Sequence, residues 1–134
     1  MQQQEPDRIS IECNDDVVRV RSRVRDAAVR VGFGHVDQVR LVTAASELAR
    51  SIRLYAERGL VEILTVKNGR QRGLRIKFED RGPGIADINL AMTDGYTTSR
   101  GLGKGLPGSR RLVDDFEIES APGEGTTIRI TKWL

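Results

Sequence analysis

Apolar and polar residues alternate along Ile9-Ser10-Ile11-Glu12-Cys13, the period of a strand with one buried side, and that phase places Cys13 inward. The period then changes. Val17, Val20, Val24, Ala27, Ala28 and Val31 recur at steps of three and four, which predicts a helix capped by Asn14 or Asp15 and stopped by Gly32. A second helix, from about Val36 to Tyr55, carries the stripe Leu41, Ala45, Leu48, Ile52 and Tyr55. Two β-rich runs follow, Leu60 to Lys67 and Leu74 to Asp80, joined at Asn68-Gly69 as a hairpin. Beyond a short helical pattern over Asp87 to Met92 and a helix from about Leu106 to Asp114, the strands Phe116 to Ser120 and Thr126 to Trp133 flank the turn Ala121–Gly125.

Consecutive strands favour antiparallel pairing, and two amphipathic helices need one sheet face to cover. The expected fold is α+β: a two-layer α/β sandwich whose mostly antiparallel mixed sheet is covered on one face by helices. The chain of 134 residues is the size of one domain, expected over 8–134 behind a flexible N-terminus of residues 1–7. A lone Cys13 forms no internal disulfide, and His35 alone offers no zinc set, so stapled folds and zinc fingers are excluded. Cys13 is read as a small buried hydrophobe. The first residues are polar and acidic, charges interrupt every apolar run before the roughly 18 residues a membrane span needs, and a soluble cytoplasmic protein is expected. The 22 basic and 19 acidic side chains give a net charge of +3, a mixed surface that points to neither nucleic acid nor membrane as a partner.

Glycine density carries the chemistry. Nine of the 14 glycines fall between Gly82 and Gly125, where backbone must turn tightly or approach a ligand. Gly101-Leu102-Gly103-Lys104-Gly105-Leu106-Pro107-Gly108 opens a helix, so its amides and the helix N-terminus suit a phosphate, with Lys104 adding a full positive charge. Asp80, at a strand end before Arg81-Gly82-Pro83-Gly84-Ile85, can accept from an exocyclic amine. Glu47 and Ser51, one turn apart on the second helix, share a face. Glu47 there can act as general base, with Mg²⁺ bridging phosphates nearby. A Walker loop is excluded because Gly105, not Ser or Thr, follows Lys104. The G-x-G-x-x-G spacing of Gly103 to Gly108 lacks the preceding buried strand of a dinucleotide fold.

Taken in order, Ser46-Glu47-Leu48-Ala49-Arg50, Glu79-Asp80-Arg81-Gly82-Pro83-Gly84-Ile85, Gly101 to Gly108 and Gly123-Glu124-Gly125-Thr126 resemble the boxes of the GHKL (Bergerat-fold) ATPase superfamily. Phe33-Gly34-His35-Val36-Asp37-Gln38, Leu106-Pro107-Gly108 and the ending Thr131-Lys132-Trp133-Leu134 are similar to its serine/threonine kinase branch, related to the anti-sigma-factor kinases. The resemblance implies ATP and Mg²⁺ as cofactors and a catalytic base at Glu47. It implies adenine binding at Asp80 with Gly82, Gly84 and Ile85, supported by Thr126. It implies phosphate binding at Gly101, Leu102, Gly103, Lys104, Gly105 and Leu106, under a lid of about 87–100. The implied substrates are STAS-domain scaffold and antagonist proteins of a stressosome (RsbS- and RsbR-like), with a PP2C-type phosphatase activated once the kinase is released. Ser51 stands where the superfamily has the Asn that coordinates Mg²⁺. Two functions stay open on that account: a kinase, or an ATP-sensing switch with weak or no transfer.

Overall fold

The computed structural model describes residues 5–84 and 108–134. The chain runs β1 (Asp7–Ile11), α1 (Asn14–Val31), α2 (His35–Tyr55), β2 (Gly59–Asn68), β3 (Gln71–Asp80), β4 (Asp115–Ser120) and β5 (Thr126–Trp133). The strands form one sheet in the order β1-β2-β3-β5-β4, and all four described pairings are antiparallel. The expected α+β sandwich is therefore present. Residues 108–111 are helical, and the helix expected from Leu106 to Asp114 stops there, since residues 112–114 are turn and bend.

The register explains the core. One row across the sheet reads Ile9, Val61, Phe78, Ile128 and Ile118, and the next joins Ile63, Ile76, Ile130 and Phe116. Their inward side packs against Val20, Val24, Ala27, Ala28 and Val31 of α1 and Leu41, Ala45, Leu48 and Ile52 of α2, all buried. These are the stripes the helical periodicity predicts. A third row, Ile11, Gly59, Asp80, Thr126 and Ser120, closes the same face at the sheet end and is polar on β3, β5 and β4.

The hairpin is tighter than expected, since Gln71 pairs with Asn68 and only Gly69-Arg70 remain as loop, with Gly69 at φ 64°. Gly32 ends α1 as expected, in the left-handed conformation. Asp7, expected within the flexible N-terminus, opens β1 and pairs with Arg23 at 2.6 Å. At the other end of the sheet Lys132 is buried, its ammonium between Asp37 (3.6 Å) and Asp114 (3.7 Å).

Cys13 is a correction. β1 stops at Ile11, and Cys13 is exposed at the N-cap of α1 instead of facing the core. The cause is Asp16, which reaches back from the third helical position so that its Oδ2 accepts from the amides of Glu12 (2.9 Å) and Cys13 (3.2 Å). Those bonds bend the chain out of the strand and satisfy helix-start donors that a thiol satisfies poorly.

The Glu12 amide, then Arg19 and Cys13, hold the Asp16 carboxyl below its ordinary 3.8 despite its burial. A depressed acid stabilises the fold above its unfolded value, and loses that contribution as pH falls through the lower folded value. Asp16→Asn is therefore expected to lower the urea midpoint at neutral pH, with the gap to wild type closing below pH 3.8. Urea melts of the two proteins across that range check both parts.

Candidate nucleotide site

The site follows from two periodicities that meet. On α2, Leu48, Ser51, Ile52 and Tyr55 stand at i, i+3, i+4 and i+7, one face of the helix. On the sheet, Phe78 and Asp80 lie two apart at the end of β3, opposite Ile128 and Thr126 of β5. Between the two faces is a cleft of about 530 Å³ counted out to its open mouth, lined by these residues with Pro83 and Gly84. Its apolar floor with a few polar groups is the lining of a small-molecule pocket.

Among the described residues, Asp80 is the only acid lining this cleft. Its Oδ1 accepts from the Gly82 amide at 2.9 Å, a turn that fixes the carboxylate. Burial pushes the Asp80 carboxyl above its ordinary 3.8, against the opposing pull of the Gly82 and Thr126 amides.

Two glycines let the loop after Asp80 close over the sheet end. Gly84 has φ 78°, and a Cβ there would lie 2.0 Å from the Ala121 carbonyl oxygen; Gly125 has φ 81°, and its Cβ would lie 2.2 Å from the Asp80 carbonyl oxygen. Only glycine fits either place. The Gly123 amide donates to the Pro83 carbonyl at 2.7 Å, tying the two loops together.

The structure thus brings together Ser51, Asp80, Gly84 and Thr126, and it uses Gly82 as the anchor of Asp80. Glu47 is one turn before Ser51 at the edge of this region, half-buried and paired with Arg50 at 3.8 Å; its side chain does not line the cleft. Ile85, Gly101, Leu102, Gly103, Lys104, Gly105 and Leu106, with the lid of 87–100, lie outside the described residues. Sequence reasoning missed Leu48, Tyr55, Phe78 and Ile128 as cleft residues. The signal was available, because each is displaced from Ser51, Asp80 or Thr126 by one structural period.

The donor set bears on Mg²⁺. Ser51 Oγ donates to the Glu47 carbonyl at 3.1 Å, which leaves its lone pairs for a ligand. No group of three or more His, Cys, Asp or Glu side chains that could hold a metal occurs among the described residues. Oxygen donors in ones and twos suit Mg²⁺ that keeps most of its water and leans on phosphate, so Ser51 and Glu47 fit that ion as minor partners.

The raised Asp80 carboxyl contributes stability below 3.8 and loses it as pH rises through the folded value, so at neutral pH its charge is a cost to the fold. Asp80→Asn should leave the neutral-pH urea midpoint unchanged or raise it. A clear fall would make Asp80 a structural residue.

Comparison with known proteins agrees with this geometry. Residues 36–134 match the family described as "Histidine kinase-, DNA gyrase B-, and HSP90-like ATPase". The chain is 52% identical over 119 residues to the serine/threonine-protein kinase RsbT of Bacillus subtilis (strain 168), covering 89% of this chain and 90% of that one. It is 33% identical over 98 residues to the anti-sigma F factor of Thermoanaerobacter sp. (strain X514), covering 69% and 67%. Among solved structures, the RsbU and RsbW domains of Rv1364c from Mycobacterium tuberculosis align at a TM-score of 0.66 with 19% identity, covering 96% of this chain and 32% of theirs. The mycobacterial sensor histidine kinase MprB aligns at 0.59 with 17% identity, covering 96% and 97%. Those two show the fold alone. With the profile spanning most of the chain and the cleft built at the sheet end, the protein belongs to the histidine kinase-, DNA gyrase B- and HSP90-like ATPase family.

Proposed function

We propose that the cleft is the ATP site of a serine/threonine protein kinase that phosphorylates a STAS-domain partner and then switches to a second protein. The observation that carries this reading is the pairing of a half-buried Asp80 with Thr126 at the rim of an apolar slot, whose helical wall includes Ser51, one turn after Glu47. The 52% relative's name gives the reaction class, and the anti-sigma F factors give the partner-switching character.

In this reading the adenine ring enters the slot over Phe78 and Ile128, and Asp80 accepts from its amino group. Gly82, Gly84 and Ile85 shape that end. Gly101, Leu102, Gly103, Lys104, Gly105 and Leu106 hold the phosphates under the 87–100 lid. A serine or threonine hydroxyl of the partner attacks the γ-phosphorus, the bond from that phosphorus to the bridging oxygen of ADP breaks, and Glu47 takes the hydroxyl proton. Mg²⁺, when bound near Ser51 and Glu47, supplies neutralising charge to the phosphates. The partners are stressosome scaffold and antagonist STAS proteins of the RsbS and RsbR kind, the released kinase activates a PP2C-type phosphatase, and the setting is the cytoplasm. No described helix is long and apolar enough to cross a membrane.

Incubation with labelled ATP, Mg²⁺ and a STAS partner is expected to give phosphoserine or phosphothreonine on the partner. No transfer by the wild type, together with transfer by Ser51→Asn, would favour the nucleotide-sensing switch. Asp80→Asn should weaken ATP binding by at least about 1.5 kcal/mol, the scale of a hydrogen bond to a charged group. Glu47→Ala should bind ATP almost normally while transfer falls about 10²-fold or more. Calorimetry and single-turnover assays separate the two, and loss of binding in Glu47→Ala would make that residue structural.

A further inference from the structure

The inward face of the sheet ends differently at its two ends. Beyond Phe78 and Ile128 it ends in Asp80 and Thr126, at the cleft. In the other direction Ile76 and Ile130 give way to Leu74 and Lys132, and then to Lys67 and Arg72, beside which the Leu134 amide donates to the Arg72 carbonyl at 2.8 Å. Lys67 and Arg72 are partners in the register, so their side chains leave one face of the sheet about 5 Å apart at Cβ. Like charges so placed repel each other and weaken the hairpin.

Three acids at this end are engaged elsewhere. Asp37 and Asp114 hold the buried Lys132, at 3.6 and 3.7 Å, and Asp115 accepts from the Trp133 indole at 3.0 Å. Lys67, Arg70 and Arg72 are all exposed, and their side chains have no ion-pair or hydrogen-bond partner among the described residues. Apolar side chains stand beside these cations. Leu134 is 54% exposed and lies by Gly32, where a Cβ would be 3.7 Å from its Cδ2. Gly32 ends α1, and the last turn before it carries Val29, 56% exposed, with Arg30.

We propose that this corner, built from Lys67, Arg70, Arg72, Val29 and Leu134, is a docking surface for an acidic protein segment that carries an apolar side chain. Carboxylates of the partner relieve the repulsion between Lys67 and Arg72, and its apolar group covers Val29 and Leu134. Arg72 lies on a strand paired on both sides, so its charge does not guard an open sheet edge. Nucleic acid fits less well, because Trp133, the ring that could stack on a base, is on the opposite face of the sheet against Gly73. From Arg72 to Asp80 is about 26 Å along β3, so a partner held here leaves the cleft open. The surface goes beyond the ATP reading and does not depend on it.

Amide NMR of the full chain titrated with a soluble peptide of glutamate, leucine and serine tests this. Changes are expected at Val29, Lys67, Arg70, Arg72 and Leu134, and not at Asp80 or Thr126. Glutamine in place of the peptide's glutamate should weaken binding about tenfold or more, and serine in place of its leucine about threefold. Lys67→Glu and Arg72→Glu should each weaken the original peptide about tenfold, while the urea midpoint stays or rises because an opposite-charge pair replaces a like-charge one. Should both fail to fold, Arg70→Glu, in the hairpin loop, is expected to weaken the peptide about threefold. Changes confined to other surfaces, equal binding of the glutamine peptide, or unaltered binding by the charge-reversed proteins overturns the proposal. So does a lower urea midpoint in both strand variants, which would make the pair a structural element, or tighter binding of a single-stranded oligonucleotide of equal charge at the same corner. The titration uses no nucleotide, so its outcome is separate from that of the ATP reading.

Discussion

Strand register is the constraint on which the site depends. Because β3 and β5 pair with Asp80 opposite Thr126, their side chains share the inward face of the sheet at its open end, directly beyond the row that Phe78 and Ile128 give to the core. Side chains alternate with a period of two, so a slip of one residue would turn Asp80 outward and put Glu79 or Arg81 in its place. The apolar rows that hold the register are thus also what aims the carboxylate. The core and the cleft use the same hydrogen-bond ladder, one step apart along it.

The helix layer completes the arrangement by the same economy. α2 buries Leu41, Ala45, Leu48 and Ile52 on the sheet, and the continuation of that stripe past the edge of the core supplies Ser51 and Tyr55 to the cleft. Glycine at 84 and 125 allows the two flanking loops to pass within contact of backbone carbonyls. A larger residue at either would push the loops apart and remove a wall of the cleft. Asp80 works against the fold, its charge drawn partly out of water.

Most of this was legible in the sequence, and the misses have physical causes. The two long helices and the five strands among the described residues, and the grouping of Ser51, Asp80 and Thr126, followed from periodicity, glycine placement and the family resemblance. Cys13 was misplaced because alternation says nothing about where a strand stops; that is decided by Asp16 folding back on the Glu12 and Cys13 amides. Lys132 continues the inward phase of Ile128 and Ile130, yet its burial depends on Asp37 and Asp114, which are remote in the chain. The contact of Ser120 with Thr126 at 2.8 Å likewise needs two strands in register, which no local pattern reveals. Glu47 shows the converse: its spacing to Ser51 was plain, while its side chain stands at the margin, paired with Arg50, and not on the cleft wall.

Amide and methyl NMR of the protein titrated with ADP tests the central claim most directly, since it reports where the base sits without relying on turnover. The account predicts the largest changes at Leu48, Phe78, Asp80, Thr126 and Ile128, with intermolecular contacts from the adenine ring to the Phe78 and Ile128 side chains. Saturable binding that leaves those five signals in place, with changes confined to another surface, would contradict it.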